Sequence, residues 1–167
     1  MPRKNDGKKF EQVVKEAFEK VPGVSIDRLR DAPTNFRNVD NPSDFIVYKK
    51  PHEVYVECKS HHGNTLPFSC IRPSQISKML AKERIEGVKC GLIVWYIDRD
   101  FTLWYPIETV AYIQMLGRKS LHYKDQFTST RIFRVWGKKK RGSKFYNYDM
   151  ERFLDELFME VEEDEQV

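Results

Sequence analysis

Residues 91–97 form a continuous apolar run, Gly-Leu-Ile-Val-Trp-Tyr-Ile, and this run limits the folds open to the chain. Seven such residues without polar alternation predict a strand that is covered on both faces, as the central strands of parallel and mixed sheets are. Apolar residues at helical spacing predict amphipathic helices at 8–20, from residue 73, at 106–116 and at 149–161. Shorter strands are predicted at 24–29, 44–48, 54–59, 101–105 and 131–136. This order indicates an α/β fold in which helices flank a central mixed β-sheet.

The length of 167 residues suits one domain with a single core. We expect this domain to span residues 1–159 and to be followed by an acidic tail at 160–167, which carries five Asp or Glu and no Lys or Arg. Without the tail, 20 acidic residues face 29 basic ones, a net charge of +9. A basic body suits a polyanionic partner, because Lys and Arg that neutralise phosphates release counterions. Ordinary solubilising charge would explain an excess of this size equally well.

Compartment and redox state are suggested by what the sequence contains. Its apolar runs fall well short of the ~20 residues of a membrane helix, and the charged N-terminus lacks the apolar segment of a secretory signal. The cysteines, Cys58, Cys70 and Cys90, are scattered and favour reduced thiols over a disulfide framework. We therefore expect a cytoplasmic protein with no membrane partner.

The strand predicted at 54–59 presents two opposite charges on one face. Successive side chains of a strand point to opposite sides, so Glu57 and Lys59 share a face while Cys58 points to the other, apolar one. Asp44 opens the preceding predicted strand. If the two strands pair as a hairpin, Asp44 returns beside Glu57 or Lys59.

Two neighbouring carboxylates and an ammonium group suit metal-dependent hydrolysis of a phosphodiester. Close carboxylates raise one another's pKa unless a cation neutralises them. Mg²⁺ or Mn²⁺ does so with oxygen ligands, lowers the pKa of a bound water and neutralises charge on the phosphate. We predict that Asp44 and Glu57 bind the metal, that the backbone carbonyl of Cys58 is a further ligand, and that Lys59 orients the attacking water.

Several separated segments resemble one nuclease family. The residues Pro-Ser-Asp at 42–44 and Glu-Cys-Lys at 57–59 resemble the PD-(D/E)XK nuclease motif. A closer resemblance, over about residues 7 to 97, is to the RecU-type Holliday junction resolvases, including short phage-encoded members. It is carried by Gly-Lys-Lys-Phe-Glu at 7–11, Asn-Pro-Ser-Asp-Phe at 41–45, Glu-Cys-Lys-Ser at 57–60, and Thr-Leu-Pro-Phe at 65–68 leading to Gln75.

This resemblance implies a restriction-endonuclease-like core and a homodimer that binds four-way DNA junctions and makes paired, Mg²⁺-dependent nicks. It implies catalytic roles for Asp44, Glu57 and Lys59, a catalytic and metal-binding role for Glu11, and a catalytic role for Gln75. The loop at 61–71 would enter the junction centre. The sequence departs from the family pattern at Pro42-Ser43, where cellular members carry a Thr-rich segment, and in its short basic N-terminal arm.

Two further segments are candidates for contact with DNA, and other functions stay open. The candidates are the loop residues His61, His62 and Asn64 and the basic run Lys138, Lys139, Lys140 and Arg141. Clustered cations near aromatic residues are typical of phosphate-binding surfaces, although a solvated hairpin tip has the same composition. A zinc site at the histidines and cysteines fits no familiar four-ligand spacing. The alternatives to a junction resolvase are a nuclease of the same fold acting on linear duplex or flap DNA, and a non-catalytic DNA-binding module.

Overall fold

The computed structural model describes residues 5–29 and 40–165, with side chains described up to residue 159. Four α-helices and ten strands are found in these residues. In chain order they are α1 (Asp6–Glu19), β1 (Ser25–Arg28), β2 (Phe45–Lys49), β3 (His52–His61), β4 (Thr65–Pro67), α2 (Pro73–Glu83), β5 (Val88–Tyr96), β6 (Phe101–Pro106), α3 (Ile107–Met115), β7 (Ser120–His122), β8 (Phe133–Arg134), β9 (Gly137–Lys139), β10 (Tyr146–Tyr148) and α4 (Met150–Glu165).

The main sheet has six strands in the order β1-β2-β3-β5-β6-β8. Strands β3 and β5 are parallel, and every other neighbouring pair is antiparallel. The parallel pair is connected through α2, as parallel strands require a crossover. Two small sheets, β4 with β7 and β9 with β10, lie outside it. The predicted mixed sheet flanked by helices is confirmed.

The sheet separates two hydrophobic cores. Helices α1 and α4 pack on one face and bury a core that includes Ile93 and Trp95. Helices α2 and α3 pack on the other face, over a core that includes Leu92 and Val94. Strand β5 therefore sends alternate side chains into both cores, which confirms that the apolar run at 91–97 contributes a strand covered on both faces.

Several sequence-based predictions were wrong in detail. The strand expected at 131–136 is reduced to the two residues of β8. The segment at 61–71 does not project as a loop, because β4 within it pairs with β7 and both Leu66 and Ile71 are buried. Helix α4 continues to Glu165, four residues past the end predicted at residue 161. The pairing of β4 with β7 could not be predicted from local sequence patterns, because the two strands are more than fifty residues apart in the chain.

Among residues 5–29 and 40–165, no helix combines the length and apolar character needed to cross a bilayer.

Candidate active site

Strand β3 places a carboxylate and an ammonium group side by side, as strand alternation predicts. Lys59 Nζ lies 3.2 Å from Glu57 Oε1. Cys58, between them, points to the opposite face and is buried in the core under α1. Glu57 itself is only 4% exposed, so its charge is largely withdrawn from water. A buried carboxylate of this kind needs cationic or hydrogen-bonding compensation.

Asp44 lies beside Glu57 because β2 begins immediately after it. The pairing of β2 with β3 starts at Phe45 opposite Val56, so Asp44 faces the part of β3 that β2 leaves unpaired. The backbone N–H of Cys58 donates to Asp44 Oδ2 at 2.8 Å, which fixes the carboxylate at the strand end. The structure thus brings Asp44, Glu57 and Lys59 together.

The charges of the site perturb one another. Burial, followed by the negative charge of Asp44, raises the pKa of Glu57 to about 7, against the opposing effects of Lys59 and of the Gln75 amide. Lys59 therefore compensates the carboxylate pair only in part. Burial and the two carboxylates also raise the pKa of the Cys58 thiol well above its ordinary value, which makes it an unreactive core residue.

Two buried side-chain oxygen atoms, one of Glu57 and one of its neighbour Gln75, lack a hydrogen-bond donor. Gln75, in the first turn of α2, is 3% exposed. Its Oε1 atom and Glu57 Oε2 are both buried and find no donor among the described residues. Leaving such oxygens unsatisfied is unfavourable by roughly 1–3 kcal/mol each. A cation bound next to such an oxygen would compensate it.

The main chain offers one more oxygen. The N–H and C=O of one strand residue point to the same side of the strand. Since the Cys58 N–H donates to Asp44, the Cys58 carbonyl also faces that side. Its role as a metal ligand stays a prediction.

The donor set fits a hard cation better than a soft one. No three His, Cys, Asp or Glu side chains of the described residues are grouped closely enough to hold a metal ion. An ion here would be held by Asp44 and Glu57, with an amide oxygen, a backbone carbonyl and water completing its shell. Mg²⁺ commonly binds in this way, through one or two carboxylates and several retained waters.

Glu11 is not part of this carboxylate group. It lies on α1, over the opposite face of the sheet, and Arg28 Nη2 of β1 lies 2.6 Å from its Oε2 atom. Its charge reaches the Cys58 thiol, whose pKa it helps to raise. The partner Arg28 was missed in the sequence, since β1 and α1 meet only in the folded chain.

The loop residues predicted to touch DNA surround the end of β3. His61 and His62 are half-buried and Asn64 is exposed. His62 Nδ1 lies 2.8 Å from Asp98 Oδ1, and Arg99 Nε donates to Asn64 Oδ1 at 2.7 Å. The loop is therefore bound to the 3₁₀ turn Ile97–Arg99 that follows β5.

The basic run lies on the β9–β10 hairpin, away from Glu57. Lys139 Nζ lies 3.5 Å from Asp100 Oδ2, and Lys140 Nζ lies 3.9 Å from Glu16 Oε2. Lys138 and Arg141 are exposed. Pairing with Glu16 places the hairpin against α1, so the structure does not bring these cations into the carboxylate site.

Comparison with known proteins gives distant structural likenesses only. No protein-family model matches this sequence, and no curated protein matches it. Among solved structures, one that matches is Hjc of Archaeoglobus fulgidus, described as a Holliday junction resolvase from an archaeal hyperthermophile. The sequence identity is 16% and the TM-score 0.47, over 61% of this chain and 78% of that one. At these values the likeness carries no argument about function.

Proposed function

We propose that this protein is a metal-dependent endonuclease of the PD-(D/E)XK kind that resolves four-way DNA junctions, as the sequence resemblance to RecU-type resolvases implies. The observation that carries the proposal is the grouping of Asp44, Glu57 and Lys59 around buried oxygens that lack donors. A cluster that leaves a carboxylate pair incompletely compensated is unfavourable for folding. Binding of a divalent cation accounts for it.

Each side chain has a distinct role in this proposal. Asp44 and Glu57 hold Mg²⁺ or Mn²⁺, which when bound lowers the pKa of a water molecule and neutralises charge on the scissile phosphate. Lys59 donates hydrogen bonds to the attacking water and to the phosphate oxygens. Gln75 positions Glu57 through its amide. Glu11 reaches the metal or its water only if the Arg28 contact opens.

Cleavage of defined DNA substrates tests the function directly. We expect the protein to introduce symmetric nicks into a labelled four-way junction in Mg²⁺, and none in EDTA, because the ion supplies both the activated water and the charge compensation. The measurement maps nicks on a mobile junction, a linear duplex and a flap of the same sequence. Preferential cleavage of linear or flap DNA would show that the protein is a nuclease with another substrate and not a junction resolvase. Junction binding without cleavage in any metal would favour the non-catalytic module.

A homodimer is part of this proposal, and an exposed apolar surface on α3 supports it. Tyr112 and Leu116 are 57% and 60% exposed and line a groove of about 410 Å³. Met115 and Phe127, next to groove residues in the chain, are 79% and 76% exposed. Apolar surface of this kind is typical of a protein interface.

The charges around the groove favour a second copy of the chain as the partner. Glu108 and Arg131 lie on its edge, with 3.6 Å between Oε2 and Nη1. In a two-fold interface a patch meets itself, so a rim that carries both signs can pair across the symmetry axis.

Met115→Lys is expected to weaken the dimer about thirtyfold or more, since it replaces a highly exposed apolar side chain beside the groove with a charge. Sedimentation velocity across a concentration series measures the change. Met159→Lys is the matched control, because Met159 is 61% exposed on α4, away from α3. A wild-type protein that is monomeric at every concentration, or an unchanged dimer in Met115→Lys, would contradict this interface.

A further inference from the structure

Cations and aromatic rings alternate along the edge of the main sheet formed by β8. The guanidinium of Arg134 lies over two rings, 4.2 Å from the centre of Phe101 and 4.4 Å from the centre of Trp136. Arg152 of α4 also lies over Trp136, at 4.8 Å. Ring contacts of this kind hold a guanidinium in place without using its N–H donors.

Arg134 is the cation best placed to bind an anion in this group. Within the described residues it makes ring contacts but no ion pair. The acidic neighbours are already engaged: Asp100 with Lys139 at 3.5 Å, and Glu156 with Arg152 at 2.9 Å. A guanidinium that presents free donors beside the exposed Trp136 matches the bidentate geometry of a phosphate group.

The same pattern continues toward the candidate active site. The ring centres of Phe101 and Tyr123 are 6.5 Å apart. Arg99 lies 4.7 Å from the centre of the Tyr123 ring, and its Nε donates to Asn64 in the loop after β3. We call Arg99, Tyr123, Phe101, Arg134, Trp136 and Arg152 the arginine–aromatic row.

Strand register places Arg134 on the same face of the sheet as Lys59, three strands away. Lys59 pairs with Val94, Val94 with Leu103, and Leu103 with Arg134. Residues paired in this way share one face of a sheet, and three strand spacings separate Lys59 from Arg134 by about 14 Å. One strand of B-DNA carries a phosphate for every ~3.4 Å of helix axis, so this distance corresponds to about four nucleotides.

The direct line between the two positions is covered by protein. Val94 and Leu103 are fully buried under the second core. A ligand that spans the distance therefore passes over the segment that carries Tyr123, where Arg99 and Lys124 are exposed. Contacts connect Arg99, Tyr123 and Phe101 of the row to Asn64 at one end and to Arg134 at the other, along this route.

We propose that the arginine–aromatic row binds the phosphodiester backbone of a DNA strand that leaves the carboxylate site. Arg99 and Arg134 contact separate phosphates of the same strand, and Trp136 holds Arg134 in position. A cavity of about 430 Å³ beside Trp136 is lined by Lys138 and Arg152, and also by Asp149, whose Oδ1 accepts from the Arg152 backbone N–H. The two cations outnumber the one carboxylate, so this cavity accommodates a further phosphate. The identification of the ligand as DNA rests on the proposed function. The position of the row follows from the contacts and the strand register alone.

Binding to labelled DNA in EDTA tests the row separately from cleavage. We expect Arg134→Gln and Trp136→Ala each to weaken binding of the full-length protein to a four-way junction about tenfold at fixed salt, by loss of a phosphate contact or of its support. For Arg134→Gln, the slope of log K against log salt should also fall by about one. Arg84→Gln is the matched control: Arg84 is exposed at the end of α2, near the opposite end of the sheet.

Tryptophan fluorescence supplies a second readout, because Trp95 and Trp104 are buried and Trp136 is 40% exposed. DNA should protect the emission from acrylamide in the wild type and not in Trp136→Ala. If Arg134→Gln and Trp136→Ala bind the junction as tightly as Arg84→Gln and with the same salt dependence, the proposed DNA-binding role of the row is wrong. Wild type that binds DNA without cleaving it would overturn the nuclease but leave the row standing. Failure to bind any DNA would overturn both.

Discussion

Asp44→Asn and Lys59→Ala are each expected to reduce metal-dependent cleavage about 10²–10³-fold or more, the range found when one charge-stabilising group is removed from a transition state. The Asn side chain keeps an oxygen for the Cys58 N–H but loses the charge that would hold the cation. The Ala side chain removes the ammonium group 3.2 Å from Glu57. Single-turnover nicking of a four-way junction measures both effects.

Junction binding by these two variants should change little, because phosphate contacts elsewhere on the surface supply most of the affinity. Asp27→Asn and Lys20→Ala remove the same charges from exposed positions and should cleave normally. Cleavage at the wild-type rate by both site variants would refute the assignment of the active site.

Glu57→Gln is expected to abolish cleavage and yet to stabilise the fold above pH 7. Burial and the charge of Asp44 raise the pKa of Glu57 to about 7 in the folded protein. The unfolded chain binds its proton less tightly, with the ordinary pKa of 4.5. Between these values the folded state holds more protons, so the free energy of unfolding falls as pH rises from 4.5 through 7. The neutral Gln side chain does not titrate, so at pH 8 the free energy of unfolding of Glu57→Gln should exceed that of the wild type by about 3 kcal/mol.

Urea unfolding at pH 5 and pH 8 measures the difference between the two proteins. Glu83→Gln is the matched control, since burial raises the pKa of Glu83 to about 7 at a position away from the site. At pH 8, Mg²⁺ should stabilise the wild type and Glu83→Gln but not Glu57→Gln, because a ligand of the folded state shifts unfolding only where it binds. A Glu57→Gln protein that Mg²⁺ still stabilises like the wild type would exclude Glu57 as a ligand.

The elements that the sequence predicted well are those whose pattern is local. The alternation at 54–59 placed Glu57 and Lys59 on one face and Cys58 in the core, and the structure has both. Asp44 was expected beside them because only a short turn separates two antiparallel strands. These placements depend on strand periodicity and on a short connection between strands, and both can be read directly from the order of the residues.

The features that the sequence did not predict depend on contacts between distant segments. Arg28 lies against Glu11 because β1 forms the edge of the sheet beside α1. The segment at 61–71 is packed down because β4 finds β7. In both cases the contacting segments are distant in the chain, and many other segments contain residues of the same type. The sequence patterns therefore did not single out the correct partner.

Residue order was enough to predict the fold class and the three charged residues of the candidate site, because apolar runs and strand alternation act over a few residues. The folded chain was needed to show that Gln75 is buried against Glu57 and that Arg134 stands in register with Lys59 across two intervening strands. Packing and register differ from local patterns because they minimise the free energy of the whole chain. A side chain's neighbours across the sheet are therefore fixed only when every strand has its partner.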